Sequence, residues 1–123
     1  MSNAGVENRL PRHVQGEKLC LRSDETGARF WSVSLERTQL TYFEVRPNCR
    51  FEAHSHPSEQ ITLVLEGVLY FETSSGVDQV GAGEVMAIPA NVPHAAFTKE
   101  LAVKAVDAWS PVNKNYADEP SHH

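Results

Sequence analysis

Short runs rich in valine, isoleucine, threonine and aromatic residues recur along most of this chain, and they constrain its fold more than any other feature. They follow one another at intervals of about 8–12 residues, separated by turn-forming proline, glycine and asparagine. No stretch keeps the 3.6-residue period of an amphipathic helix beyond one turn. The pattern predicts an all-β domain of antiparallel strands, folded as a sandwich or a barrel. The predicted strands cover residues 29–34, 40–46, 50–56, 60–65, 68–73, 78–80, 84–88, 94–99 and 101–109.

The length of the chain fits one domain, because 123 residues are close to the commonest domain size. Hydrophobic residues make up 41% and charged residues 22%, as in globular proteins that fold in water. We predict a barrel domain at residues 19–112, a flexible N-terminal arm at 1–18 and a polar C-terminal tail at 113–123.

No apolar run approaches the ~20 residues that span a bilayer. The N-terminus lacks the pattern of a signal peptide, so a cytoplasmic location is expected.

Charge and cysteine content exclude several kinds of partner. Eleven basic and sixteen acidic residues leave a net charge of −5, with no cluster of lysine and arginine. Binding to nucleic acid or to an anionic membrane is therefore not expected. The two cysteines, Cys20 and Cys49, are too far apart for a zinc knuckle. We expect two free thiols in a reducing compartment, and a single disulfide bridge is the alternative.

The histidines carry the strongest functional signal. His54 and His56 are two residues apart, and on a strand that spacing places both imidazoles on one face. Gln60 opens the next predicted strand after a turn, and His94 opens another after a proline-rich turn. Three imidazoles and one carbonyl oxygen suit a divalent transition metal. The alternative is that His54 and His56 are partly exposed strand residues with no ligand role.

Two spaced motifs surround these residues. In the first, Asn48 is followed by five residues, His54-Ser55-His56, three residues, Gln60, six residues and Gly67. The second places its marked residues at Gly83, Pro89, Asn91, His94 and Thr98.

Together the motifs resemble the two conserved motifs of the cupin family. The resemblance implies an antiparallel double-stranded β-helix, or jelly-roll barrel, of the RmlC-like type. It also implies one mononuclear metal (Zn, Ni, Fe, Mn or Co) and a homodimer. The implied ligands are His54, His56, Gln60 and His94.

The sequence departs from the family pattern at four positions. Asn48 and Asn91 replace glycines, and asparagine tolerates the left-handed conformation that glycine adopts in turns. Thr98 replaces a closing asparagine at a structural position. Gln60 replaces the glutamate ligand, which makes the site one negative charge poorer. Glu59 could take its place only if a bulge displaced Gln60, because neighbouring strand residues point in opposite directions.

A narrower resemblance concerns the segment 54–60, His-Ser-His-Pro-Ser-Glu-Gln, and the segment 106–111, Val-Asp-Ala-Trp-Ser-Pro. Both are similar to single-domain cupins of the pectin-degradation type, which linearise 4,5-unsaturated uronates at a metal held by three histidines and one glutamine. The resemblance implies that Asp107 and Trp109 lie near the metal and take part in catalysis.

Strand alternation gives an independent reason to consider Asp107. Val103, Ala105, Asp107 and Trp109 share one face of the last strand, so the acid stands among apolar neighbours. An acid in such surroundings tends to have a raised pKa and suits proton transfer. The alternative is an aspartate at a strand end that hydrogen-bonds a turn.

Three function classes remain open from the sequence. The sharpest is a metal-dependent enzyme that isomerises or ring-opens a small polar, acidic substrate such as a sugar acid, with Asp107 moving a proton. Oxygen chemistry at iron or manganese is a second enzyme class, and a module that senses or stores a small ligand without turnover is the third. Three arginines, Arg22, Arg29 and Arg50, are candidates for binding a substrate carboxylate.

Overall fold

The computed structural model describes residues 10–24 and 26–117 of the chain. Within these residues ten strands form, together with two single-turn 3₁₀ helices at Gly16–Lys18 and Lys114–Tyr116. The strands are β1 Arg22–Ser23, β2 Ala28–Ser34, β3 Gln39–Val45, β4 Arg50–His54, β5 Glu59–Glu66, β6 Val68–Thr73, β7 Gly76–Gly81, β8 Val85–Ile88, β9 His94–Phe97 and β10 Val103–Ser110. The prediction of an all-β domain is confirmed.

The strands form two antiparallel sheets, one of six strands in the order β1-β2-β3-β10-β5-β8 and one of four in the order β4-β9-β6-β7. Both sheets contribute side chains to the core between them, such as Phe43 and Val64 from the larger sheet and Phe71 and Val80 from the smaller. This is the predicted jelly-roll barrel. No helix among the described residues is long and apolar enough to cross a membrane.

All nine predicted runs correspond to strands, with shifts of a few residues at their ends. Strand β1, only two residues long, was missed because two residues carry no alternation to read. The prediction for residues 50–56 was wrong at its end, because β4 stops at His54. This shorter strand changes the account of how His56 reaches the site.

The inner face of the six-stranded sheet is divided into an apolar and a polar half. Phe30, Phe43, Ala105 and Val64 lie in register across neighbouring strands and belong to the buried core. The next row on this face, two residues away on each strand, is polar. Its members, also in register, are Ser32, Thr41, Asp107 and Thr62. The polar half is where the barrel can hold a site.

Positive backbone φ angles mark the two asparagines that depart from the family motif. Asn48 has φ 55° and Asn91 has φ 62°, as expected for asparagine in place of glycine. Thr98 has a structural role, because its hydroxyl donates to the carbonyl of Arg46 and accepts from the amide of Cys49. The two cysteines are free, with Cys20 exposed and Cys49 buried.

The proposed division of the chain at residues 18 and 112 remains a prediction, and residues 1–9 and 118–123 lie outside the described ranges. The segment after β10 packs on the barrel as far as it is described. The side-chain amide of Gln39 holds this segment through both of its polar atoms. Its nitrogen donates to the carbonyl of Tyr116 at 2.8 Å, and its oxygen accepts from the backbone amide of Asn113 at 2.8 Å.

Candidate metal centre

Three histidines converge at one end of the barrel. His54 is the last residue of β4 and His94 the first of β9, and the two are cross-strand partners. Their ring centroids are 4.5 Å apart, and the ring of His56 lies 5.0 Å from that of His94. One ligand nitrogen from each of the three lies within 4.8 Å of the others. The sequence prediction that these histidines meet is confirmed.

His56 reaches the cluster from a loop, and not from the strand face that the sequence predicted. Two contacts hold that loop: the amide of Asn91 donates to the carbonyl of His56 at 2.8 Å, and Nδ1 of His56 lies 2.8 Å from the carbonyl of Ser58. Asn91 can donate there because its left-handed conformation turns the backbone. This hydrogen bond ties the loop that carries His56 to the second motif.

Each of the three imidazoles uses Nδ1 in the same way. Toward a backbone carbonyl Nδ1 can act only as a donor, so in the neutral imidazole it carries the hydrogen and Nε2 keeps a free lone pair. Outer hydrogen bonds of this kind orient histidine ligands in metal sites. The pairs are His54 with the carbonyl of Glu52 at 2.7 Å, His56 with that of Ser58 at 2.8 Å and His94 with that of Val92 at 2.8 Å.

His94 supplies the clearest evidence that this arrangement fits a metal. Its side chain is only 2% exposed, and its Nε2 is buried without a hydrogen-bond partner. A buried unpaired nitrogen costs free energy unless something binds it. Burial lowers the pKa of His94, and the charges of His54 and His56 lower it further against the opposing bond to Val92. A neutral imidazole is the form that binds a metal.

Gln60 completes the candidate ligand set. It is buried on β5, and its Oε1 lies 3.1 Å from Nε2 of His56, while its amide nitrogen donates to the hydroxyl of Thr62 at 2.9 Å. In the neutral ring, Nε2 of His56 carries no hydrogen, so two acceptors face each other. A cation bound between them would satisfy both acceptors. Glu59 is exposed on the opposite face, as predicted.

The position of Asp107 explains why an amide suits position 60. Oδ2 of Asp107 lies 3.5 Å from Nε2 of Gln60. A glutamate there would place two carboxylates side by side, and one of them would have to bind a proton. The neutral amide gives an oxygen to the site and turns a donor toward the acid.

Asp107 stands in the wall of a cavity that His54, Gln60 and His94 also line. It is 7% exposed, and its Oδ1 accepts from the hydroxyl of Thr62 at 2.6 Å. Burial raises the pKa of Asp107 to about 7, against the lowering effect of the Thr62 bond. Its bonds run to side chains of β5, so the alternative of an aspartate that holds a turn does not describe it.

Trp109 lies beside the cluster, with its ring 5.4 Å from that of His56 in an edge-on contact. Its Nε1 donates to the hydroxyl of Thr41 at 2.9 Å, which fixes the indole in the cavity wall. The shared face predicted for Val103, Ala105, Asp107 and Trp109 is confirmed, since all four are buried.

The cavity is small and largely apolar. The space open to the centres of water molecules is about 60 Å³. Tyr116, which the sequence left in a polar tail, forms part of the wall and stacks on Trp109 with ring centroids 6.1 Å apart. An aromatic residue in an otherwise polar stretch is the signal that could have indicated this contact. The remaining lining residues are the polar Thr62 and seven apolar residues: Phe43, Val45, Phe51, Leu69, Phe71, Ala96 and Ala105.

None of the three candidate arginines lines this cavity. Arg29 pairs with Glu44 at 2.7 Å, and Arg50 pairs with Glu52 and Glu72. Arg22 lies over the ring of Phe30 and donates to the carbonyl of Ala117. In this structure these arginines are engaged elsewhere.

The chain belongs to the cupin family. The family model for the cupin domain matches residues 41–108, which contain all four candidate ligands and Asp107. Both motifs described above fall within this range.

Solved structures share the fold. An RmlC-like cupin from Shewanella frigidimarina has a TM-score of 0.78 at 17% identity, over 87% of this chain and 96% of that one. KdgF from Halomonas sp. has a TM-score of 0.74 at 17% identity, over 82% and 95%. Among curated proteins, an acireductone dioxygenase from Ixodes scapularis is 27% identical in an alignment of 119 positions that covers 86% of this chain and 64% of that enzyme. The chain thus spans less than two thirds of that relative's length.

Proposed function

We propose that this cupin is a mononuclear metal enzyme that moves a proton on a small polar substrate. His54, His56, Gln60 and His94 would hold a divalent Zn, Ni, Fe, Mn or Co ion through three nitrogens and one oxygen, a donor set that suits these metals. The observation that carries the proposal is a buried acid, Asp107, in the wall of the cavity that three of the four ligands line.

A bound metal would polarise a carbonyl or hydroxyl oxygen of the substrate. Asp107 would then transfer the proton, and its geometry favours Oδ2 for that role. Oδ1 accepts the short bond from Thr62, while Oδ2 has only the 3.5 Å contact with Gln60. A pKa of about 7 leaves both protonation states accessible near neutral pH. Trp109, held by Thr41, would support one side of the substrate.

The first substrate class to test is a sugar acid with a 4,5 double bond, as the resemblance to pectin-degradation cupins implies. Linearisation is an isomerisation: the C1 hydroxyl loses a proton, the bond between C1 and the ring oxygen breaks, and C4 gains a proton. Both steps need a group that moves protons beside the substrate. The lining residues include no lysine or arginine, so the carboxylate would not be held by an ion pair in this cavity.

The test is the metal-loaded protein with a 4,5-unsaturated uronate, followed by loss of the ultraviolet absorbance of the double bond. We expect turnover that disappears after chelation and returns when the metal is restored. No turnover with any of the five metals would contradict the proposed reaction.

Oxygen chemistry is the second candidate, and the likeness to the acireductone dioxygenase favours it. Oxygen uptake by the iron- or manganese-loaded protein with an enediol substrate would support this class. Metal binding without either activity would favour a module that binds a small ligand. The cytoplasmic location stays a prediction.

We also propose that two copies pair through the outer face of the six-stranded sheet. Two apolar rows cross this face in register: Val33, Leu40, Ala108, Ile61 and Ala87, and beside them Trp31, Tyr42, Val106, Leu63 and Val85. Leu40 is 43% and Ile61 52% exposed. Contiguous exposed apolar rows of this kind mark interaction sites.

A charged row borders this patch, and its alternating signs suit a second copy as the partner. Arg29, Glu44, Lys104 and Glu66 lie in register, with Arg29 on Glu44 at 2.7 Å and Lys104 on Glu66 at 3.4 Å. A two-fold axis brings identical patches together. A rim that carries both signs can meet its own copy without a surplus of like charge.

We expect Ile61→Lys to shift the protein from dimer to monomer, because a charge buried in an apolar interface costs free energy. The side chain is half exposed within one subunit, so the subunit should still fold. Sedimentation equilibrium at micromolar concentration measures the change. Val77→Lys, at an equally exposed apolar position on β7, is the control and should remain dimeric. A monomeric wild-type protein would contradict the proposal.

A further inference from the structure

The hydroxyl of Thr62 lies between the candidate ligand Gln60 and the acid Asp107. Thr62 follows Gln60 by two residues on β5, so strand alternation points both side chains into the barrel. Its Oγ1 is 2.9 Å from Nε2 of Gln60 and 2.6 Å from Oδ1 of Asp107. Thr62 is 1% exposed, so no bulk solvent competes for these bonds.

The hydroxyl can give its single hydrogen to only one of the two neighbours. The shorter bond is the one to the Asp107 carboxyl, as expected where a hydroxyl donates to a carboxylate oxygen. Thr62 must then accept from its other neighbour, and only the nitrogen end of the Gln60 amide can donate. The oxygen end is thereby turned toward His56, where Oε1 lies 3.1 Å from Nε2.

We propose that Thr62 is a positioning residue that orients the Gln60 amide, so that its oxygen faces the metal centre. An amide can present either end to a metal, and only the oxygen end binds a hard or borderline cation well. The directed chain from Gln60 through Thr62 to Asp107 selects that end. This inference rests on the proposed metal centre.

The test measures Co²⁺ binding by the metal-free protein, by titration calorimetry and by the visible spectrum of bound Co²⁺. Thr62→Val keeps the size of the side chain and removes its hydroxyl. We expect it to weaken Co²⁺ binding by roughly 10–100-fold, the range for losing an outer partner of a ligand. Thr62→Ser restores the hydroxyl and should bind within about threefold of the wild type, well short of that loss.

Two comparisons separate orientation from a general loss of structure. Thr41→Val removes an equally buried hydroxyl in the same row, bonded to Trp109 and Gln39, and should change Co²⁺ affinity by less than about threefold. In the Gln60→Ala background, Thr62→Val should have no further effect on affinity, because the amide it orients is gone.

Equal Co²⁺ affinity of Thr62→Val and the wild type would overturn the positioning role, and so would a loss that persists undiminished in the Gln60→Ala background. If Thr62→Val does not fold, Thr62→Cys takes its place, because its sulfur is a weak acceptor, and the same outcomes decide. Failure of the wild type itself to bind Co²⁺ would instead contradict the metal centre, so the two failures are distinguishable.

Discussion

Replacing His94 with alanine is expected to abolish the stabilisation that a divalent metal gives to the wild-type protein. At a free Zn²⁺ concentration of about 100 times Kd, binding to the native state adds about 2.7 kcal/mol to the free energy of unfolding. Losing a residue that hydrogen-bonds a metal ligand weakens metal binding by up to ~100-fold. Losing the ligand itself should weaken it by at least that much. The same Zn²⁺ concentration would then add no more than about 0.4 kcal/mol.

The measurement is thermal or urea unfolding of each protein with and without Zn²⁺, so that every variant serves as its own metal-free reference. His13→Ala is the matched control, since His13 is exposed on the segment before the barrel and has no part in the cluster. It should keep the full stabilisation. If His94→Ala were stabilised as strongly as the wild type, the metal would be bound elsewhere.

Replacing Asp107 with asparagine is expected to lower turnover on an unsaturated uronate by roughly 10²-fold or more, the usual effect of losing a general acid or base. Asparagine has almost the same shape, and its oxygen can still accept the hydrogen bond from Thr62. It has no transferable proton. Metal content and the midpoint of unfolding should therefore change little, while kcat falls.

Asp78→Asn is the control for this experiment, because it makes the same change at an exposed position on β7. It should leave turnover unaltered. Unchanged turnover in Asp107→Asn would remove this acid from the mechanism. A parallel loss of metal would show that the acid acts on the ligands and would leave its proton-transfer role without support.

The strand positions and the ligand set were predictable because both depend on the spacing of residues close together in the sequence. Alternation along β10 placed Asp107 and Trp109 on the buried face, and the two motifs indicated His54 and His94 before their cross-strand pairing was known. The path of the chain at His56 was not predictable in the same way. A spacing of two is compatible with a strand or a loop, and the hydrogen bond from Asn91 that decides it joins residues 35 positions apart.

Tyr116 and Thr62 show two different limits of the sequence. Tyr116 stacks on Trp109 because the amide of Gln39 holds the segment after β10, and no local pattern predicts a contact across the barrel. Strand alternation could have predicted that Thr62 points into the barrel, because it shares a face with Gln60. Its relation to Asp107 depends on the pairing of β5 with β10, which only the structure supplies.

The most direct test of the metal centre is the metal content of protein prepared without a nickel column and without terminal histidines. Elemental analysis should find about one divalent transition metal per chain, bound either on purification or after loading of the chelated protein, as expected of a single site. The same analysis on the variant with alanine at positions 54, 56 and 94 should find none. Wild-type protein that retains no metal after loading, or a triple variant that retains as much as the wild type, would contradict the account.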